Sequence, residues 1–181
     1  KDTMALDEEK VKLDIWSWTD EEIQPMQNLK KNREAKKSYL GRIDLTDKNF
    51  LQLEDEDFGL TSFPRDTVEN YMAAEVDKPF RSEASWLIPT HRDIYIVDVA
   101  TGKRTLVKKN VRDNLSFSPN QKYAYWFDRS QGHWFAYELA TGNTINLSKS
   151  VKFPVYDEEY DTPDTPTEYP PVGWVSDSLF V

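Results

Sequence analysis

Three Glu-Glu pairs, Glu8-Glu9, Glu21-Glu22 and Glu158-Glu159, two histidines, His91 and His133, and an acidic run from Asp157 to Asp164 are the side chains whose types and spacing could do chemistry. Adjacent carboxylates suit charge-assisted hydrogen bonds to a cationic group. An imidazole suits general-base work beside a hydroxyl. Asp157, Glu158, Glu159, Asp161 and Asp164 offer the hard oxygens that calcium takes. Each set also has a plainer reading. Glu21-Glu22 fit the first turn of a helical segment, where acids favour the dipole. The acidic run lacks the fixed ligand spacing and the glycine of a calcium loop, and reads as a solvated loop. A serine nucleophile on a strained strand-to-helix turn needs Gly-x-Ser-x-Gly. The six glycines, Gly41, Gly59, Gly102, Gly132, Gly142 and Gly173, include no two that lie four apart. Without that elbow, His91 and His133, each just before a predicted strand, read as ordinary half-exposed histidines. Within these residues the expectation is therefore no catalytic residue, no metal site and no cofactor.

The elements that would position these side chains follow from composition and repeats. With 181 residues, 38% hydrophobic and 13% aromatic, the chain can bury a sizeable core. It has no apolar run long enough to span a bilayer, and its first residues, KDTMALDEEKVK, are too charged for a signal sequence. The absence of cysteine excludes a disulfide framework and any thiolate metal site. A net charge of −9 opposes binding to phosphate backbones or anionic lipid, so nucleic acid is not an expected partner.

The stretch DVATGK, Asp98–Lys103, returns as ELATGN, Glu138–Asn143. Aligned on these, Tyr95, Val97 and Val99 stand opposite Phe135, Tyr137 and Leu139, a period of two that marks strands. Each copy predicts a β-hairpin whose glycine supplies a positive φ. Asp44–Leu51 reads as a fainter third copy with Asp47 in the place of the glycine. LSFSPNQKYAYWFD, Leu115–Asp128, predicts a strand, a turn with Pro119 second, and an aromatic strand. GLTSFPRDTVENYMAA predicts a related form around Pro64, and GWVSDSLFV the start of another. Leu115–Leu147 then holds four antiparallel strands in sequence, the size of one β-propeller blade, whose repeats run about 40–45 residues. Consecutive hairpins also occur in sandwiches and open meanders.

The expected fold class is all-β: antiparallel four-stranded blades of a partial β-propeller with one short helical insertion near the N-terminus. The expected order is a partial blade at about 11–53, blades at about 59–108 and 114–148, an acidic Pro-rich loop over 150–171, and the start of a further blade at 172–181. The insertion is a turn, with Thr19 and Glu22 in capping-box spacing, followed by a helix from about Pro25 to Lys36. The loop holds five of the ten prolines. LEDEDFG, Leu53–Gly59, reads as a charged turn between blades, and the six tryptophans are expected in the core or in packing between blades.

LDIWSWTDEEIQPMQ, RDIYIVDVATGKRTLV, LSFSPNQKYAYWFD and the DEEYDTPDTP loop before GWVSDSLFV, in that order, resemble the β-propeller region of bacterial serine peptidases of the prolyl oligopeptidase and dipeptidyl-peptidase-IV family. The resemblance covers nearly the whole chain. One departure is Gln121, where such turns often carry glycine. The resemblance implies a Ser-Asp-His triad on a C-terminal α/β-hydrolase domain following Val181, a peptide as substrate of the parent enzyme, and export to the periplasm or beyond. In the dipeptidyl peptidases a glutamate pair holds the free amino terminus of the substrate, and VYDEEYDT is faintly similar to that context, which makes Glu158 and Glu159 the candidate substrate-binding residues. The function implied is a non-catalytic propeller that restricts peptide access to the active site. The alternative is a stand-alone propeller-type module that binds a protein or glycan. A propeller with too few blades to close leaves edge strands that pair with other chains, so self-association is expected.

Overall fold

The computed structural model describes residues 13–61, 70–176 and 178–181. The predicted turn around Pro64 lies outside the described residues. The chain divides between Ser38 and Tyr39 into two compact units.

In the first unit, helix α1 spans Gln24–Glu34 with Pro25 in its first turn and Lys31 and Arg33 in its last. Proline pre-sets the helical φ where its missing N–H is not needed, and the basic residues complement the dipole at the other end. Thr19 does not cap this helix. Its hydroxyl instead meets that of Ser17 at 2.7 Å, in the turn before it.

The second unit is antiparallel β-sheet, plus one short helix. Strands β1 (Gly41–Ile43) and β2 (Phe50–Gln52) form a hairpin. Next come β3 (Gly59–Leu60), β4 (Tyr71–Val76), β5 (Arg92–Asp98) and β6 (Arg104–Val111), then β7 (Ser116–Phe117), β8 (Tyr123–Asp128), β9 (His133–Glu138) and β10 (Thr144–Asn146). Each of these two sets is a four-stranded meander in chain order. A last hairpin pairs β11 (Trp174–Ser176) with β12 (Leu179–Phe180). The two Ala-Thr-Gly corners lie in different sheets, each joining the third strand to the fourth. The β4–β5 connection contains a 3-10 helix, Lys78–Ser85, that nothing in the repeat pattern anticipated.

The hairpin corners share one geometry. The N–H groups of Asp44, Asp98 and Glu138 donate to the carbonyls of Asn49, Lys103 and Asn143 at 2.9, 3.0 and 2.9 Å. The left-handed position is Gly102 (φ 72°) in one corner and Gly142 (φ 76°) in another. In the third it is Lys48, at φ 60°, and not Asp47. The expected alignment was therefore one residue out. Asp47 instead accepts from the backbone and side-chain amides of Asn49 at 3.0 and 2.6 Å. A fourth corner of this kind, DRSQGH, joins β8 to β9: the N–H of Gly132 (φ 66°) donates to the Asp128 carbonyl at 2.8 Å.

The sheets stack face to face in chain order. Ile94 and Ile96 on one face of β5, with Ala73 of β4, pack with Ala124 and Trp126 of β8 in a single core. On the opposite face, Met72, Ala74 and Val97 pack with Leu53 and Phe58, and Leu51 of β2 joins them. The far face of the second meander carries Tyr125 and Trp134, whose rings lie 5.1 and 5.8 Å from Phe180 of the last hairpin. A strand covered on both faces needs apolar residues at successive positions, which is what YAYWFD supplies.

Gln121 explains its own departure from glycine. It adopts φ 53°, and its side chain reaches across to the preceding sheet. Its Oε1 accepts from the N–H groups of Asn70 and Tyr71 at 2.9 and 3.0 Å, and its Nε2 donates to the Tyr71 carbonyl at 2.8 Å. Glycine would relieve the strain and lose this staple.

The tryptophans only partly follow expectation. Trp126 is buried and Trp134 and Trp174 are half-buried, but Trp16, Trp18 and Trp86 are exposed. The last three lie outside strands.

Candidate functional site

Between the two meanders the chain crosses from Val111 at the end of β6 to Leu115 before β7, and both of these apolar residues are buried. The three residues between them, Arg112, Asp113 and Asn114, are polar, and the first two are buried with them. Buried charges require partners. Arg112 finds them in two segments distant in sequence. Its guanidinium grips Asp164 of the acidic loop bidentately, at 2.5 and 2.7 Å, and donates to the Thr165 hydroxyl at 3.2 Å and the Pro89 carbonyl at 3.0 Å. This hydrogen-bonded fork holds the Asp164 carboxyl well below the usual aspartate range.

Asp113 is only 8% exposed. Its Oδ1 accepts from Nε of Arg129 at 2.7 Å, and Arg129 reaches Glu168 of the acidic loop at 3.9 Å. Burial pushes the Asp113 carboxyl up despite that guanidinium, and the nearby Glu168 charge adds to the rise. Arg92, at the start of β5, is held by Glu75 at 2.7 Å and by the Asn114 side-chain carbonyl at 3.1 Å.

These charges line a cleft of about 550 Å³. One wall is Tyr125, Phe127 and Trp134 of the second meander, and Pro170 and Pro171 of the acidic loop close another side. That loop is anchored by an irregular ladder in which the Tyr169 N–H donates to the Val155 carbonyl and the Asp157 N–H to the Thr167 carbonyl, both at 2.9 Å. The result is a polar cleft with an aromatic wall, a form suited to binding.

Glu158 and Glu159 stand exposed on a turn of the same loop, outside the cleft lining. The Glu159 N–H donates to the Asp157 side chain at 3.1 Å. Of the acidic run, Asp164 is turned inward on Arg112, which takes it away from any shared cation; no cluster of three or more His, Asp or Glu among the described residues is arranged to hold a metal. His91 is tied to Glu83, ring Nδ1 to Oε2 at 2.8 Å. His133 meets a serine, Ser148, at 2.9 Å, but that hydroxyl is buried and also accepts from the Trp134 N–H at 3.0 Å. A serine so enclosed anchors the end of the meander and is not placed to attack a substrate.

Arg112, Asp113, Arg129 and Glu168 escaped the sequence reading. A signal for Arg129 was present: DRSQG repeats the Asp-x-x-x-Gly spacing of DVATG and so marks a tight corner projecting one residue, Arg129, beside the fold. Arg112-Asp113, flanked by Val111 and Leu115, is a polar pair in an apolar setting, which also points to a buried junction. No protein-family model matches the chain, and no curated protein matches it.

Proposed function

We propose that this chain is the propeller-type portion of a serine peptidase of the prolyl oligopeptidase and dipeptidyl-peptidase-IV family, exported to the periplasm or beyond. Its work is steric: stacked blades wall in an active site, admit short or unfolded peptides and exclude folded proteins. Bond breaking belongs to a triad on an α/β-hydrolase domain of the parent chain. The observation that carries this reading is the stacking of two like-built meanders in chain order, each with an Ala-Thr-Gly corner between its third and fourth strands. Radial repetition of four-stranded meanders is the propeller architecture. The test is the gene itself. The reading expects a Gly-x-Ser-x-Gly elbow with an Asp and then a His after it in the same open reading frame. A frame without that order overturns it.

The cleft favours a second reading, a propeller-type module that binds a protein or glycan by itself, because it sets an aromatic wall beside charged side chains in one concavity. A frame lacking the elbow but encoding further blades supports that alternative.

A further inference from the structure

We propose that the cleft between the second meander and the acidic loop binds a small primary amine in its protonated form, with Asp113 and Glu168 as the ligating carboxylates. Both residues line the cleft, and each has one carboxylate oxygen, Asp113 Oδ2 and Glu168 Oε2, that is buried and receives no hydrogen bond. Asp113 is more than nine-tenths buried. A buried anionic oxygen without a donor costs free energy, so two in one cleft need an occupant that brings donors.

The cations nearby do not supply them. The Nε of Arg129 is spent on Asp113 Oδ1, and its Nη2 stays 3.9 Å from Glu168 Oε2, beyond hydrogen-bond range. Arg112 is committed to Asp164, and Arg92 to Glu75 and Asn114. Three arginines and two acids line the cleft, but Arg112 and Arg92 are each paired with an acid outside the lining, so the groups left to one another are Asp113, Glu168 and Arg129, two carboxylates to one guanidinium. A primary ammonium carries one positive charge and three N–H donors, enough to meet both oxygens and a third acceptor. The Tyr125, Phe127 and Trp134 wall suits the alkyl body that such an amine carries and adds aromatic faces for its charge. Glu158 and Glu159 take no part, since they stand outside the lining.

The 181-residue chain, titrated calorimetrically with n-butylammonium chloride against a sodium chloride background of equal ionic strength, is expected to show saturable binding. Tetramethylammonium, which matches the charge and can meet the aromatic wall but has no N–H, is expected to bind at least about tenfold more weakly. Glu168→Gln, on the partly exposed loop, should weaken butylammonium binding by about tenfold or more, the value of one charge-assisted hydrogen bond. Glu158→Gln should leave it unchanged. No saturable binding of butylammonium, equal binding of tetramethylammonium, or an unaltered affinity in Glu168→Gln each overturns the proposal. If the two carboxylates instead share a proton, butylammonium does not bind, and that too overturns it. The cleft would take such a cation with or without a hydrolase domain in the parent chain, so failure here and failure of the reading-frame test are separate results.

Discussion

Arg112 joins the crossover between meanders to the acidic loop and to the β4–β5 connection through one guanidinium. Removing one member of a buried ion pair leaves the other charge uncompensated, so Arg112→Ala should destabilise the chain by about 3 kcal/mol in urea unfolding at neutral pH. The pH dependence follows in sign. The Asp164 carboxyl is depressed in the folded state by its hydrogen bonds from Arg112, so its contribution is fully present above the ordinary aspartate value of about 4 and is lost as pH falls through the folded value. Asp113 runs the other way: burial raises its carboxyl, so its contribution is present below the ordinary value and is lost as pH rises through the folded one. Wild-type stability should therefore fall on acidification below about pH 4, with Asp113 working against the fall, and Arg112→Ala should flatten it. An equal acid slope in wild type and variant would show that the Arg112–Asp164 pair is not the source. The buried junction left a trace in the sequence, but its pairings did not. The partners lie 52 positions apart for Arg112 and Asp164 and 16 apart for Asp113 and Arg129, and no local pattern encodes which arginine meets which acid.

Corners, by contrast, were legible, because an Asp or Glu opening and a glycine four residues on impose their hydrogen bonds locally. Where the pattern was weakest the reading slipped by one residue, and Lys48 took the position given to Asp47. The three corners now predict a graded series. A lysine at positive φ pays a steric cost that glycine does not, so Lys48→Gly should raise stability by about 1 kcal/mol. Gly142→Ala should lower it by a similar amount for the same reason in reverse. Gly102→Ala should cost more than Gly142→Ala, since a Cβ at Gly102 would stand 3.2 Å from two methyl carbons of Leu51 and push on the first hairpin, whereas at Gly142 it would meet one atom that close, the Tyr137 hydroxyl at 3.3 Å, the far end of a side chain. Thermal unfolding of the three variants checks the order; a destabilised Lys48→Gly would mean that its side chain contributes more than its backbone costs. The four strands from Leu115 to Leu147 and the helix after Pro25 were foreseen on the same local grounds. The 3-10 helix Lys78–Ser85 was not, because it interrupts a hairpin and follows no repeat. It is held from outside its own sequence: Lys78 pairs with Asp57 at 2.6 Å, and Glu83 receives the N–H of His91 at 3.1 Å.

At the scale of the second unit, two complete meanders lie between two short hairpins, and the hairpins differ from the meanders in what they leave uncovered. Ile43 and Phe50 on the first hairpin and Val175 and Leu179 on the last are exposed, whereas the corresponding middle strands β5 and β8 bury residues on both faces. A two-stranded ribbon is marginal alone, and its unpaired edges and open apolar face both invite further strands. In a propeller those strands would be the rest of the terminal blades. In solution with only these 181 residues, the available strands are those of other copies. Light scattering should therefore show a molar mass that rises with concentration, and Val175→Lys with Leu179→Lys, which place charge on the uncovered face of the last hairpin, should shift the population towards monomer. A mass that stays monomeric for the wild type over the same range would mean that the terminal hairpins need no neighbour, and the stack would then be better read as a finished open meander than as part of a ring.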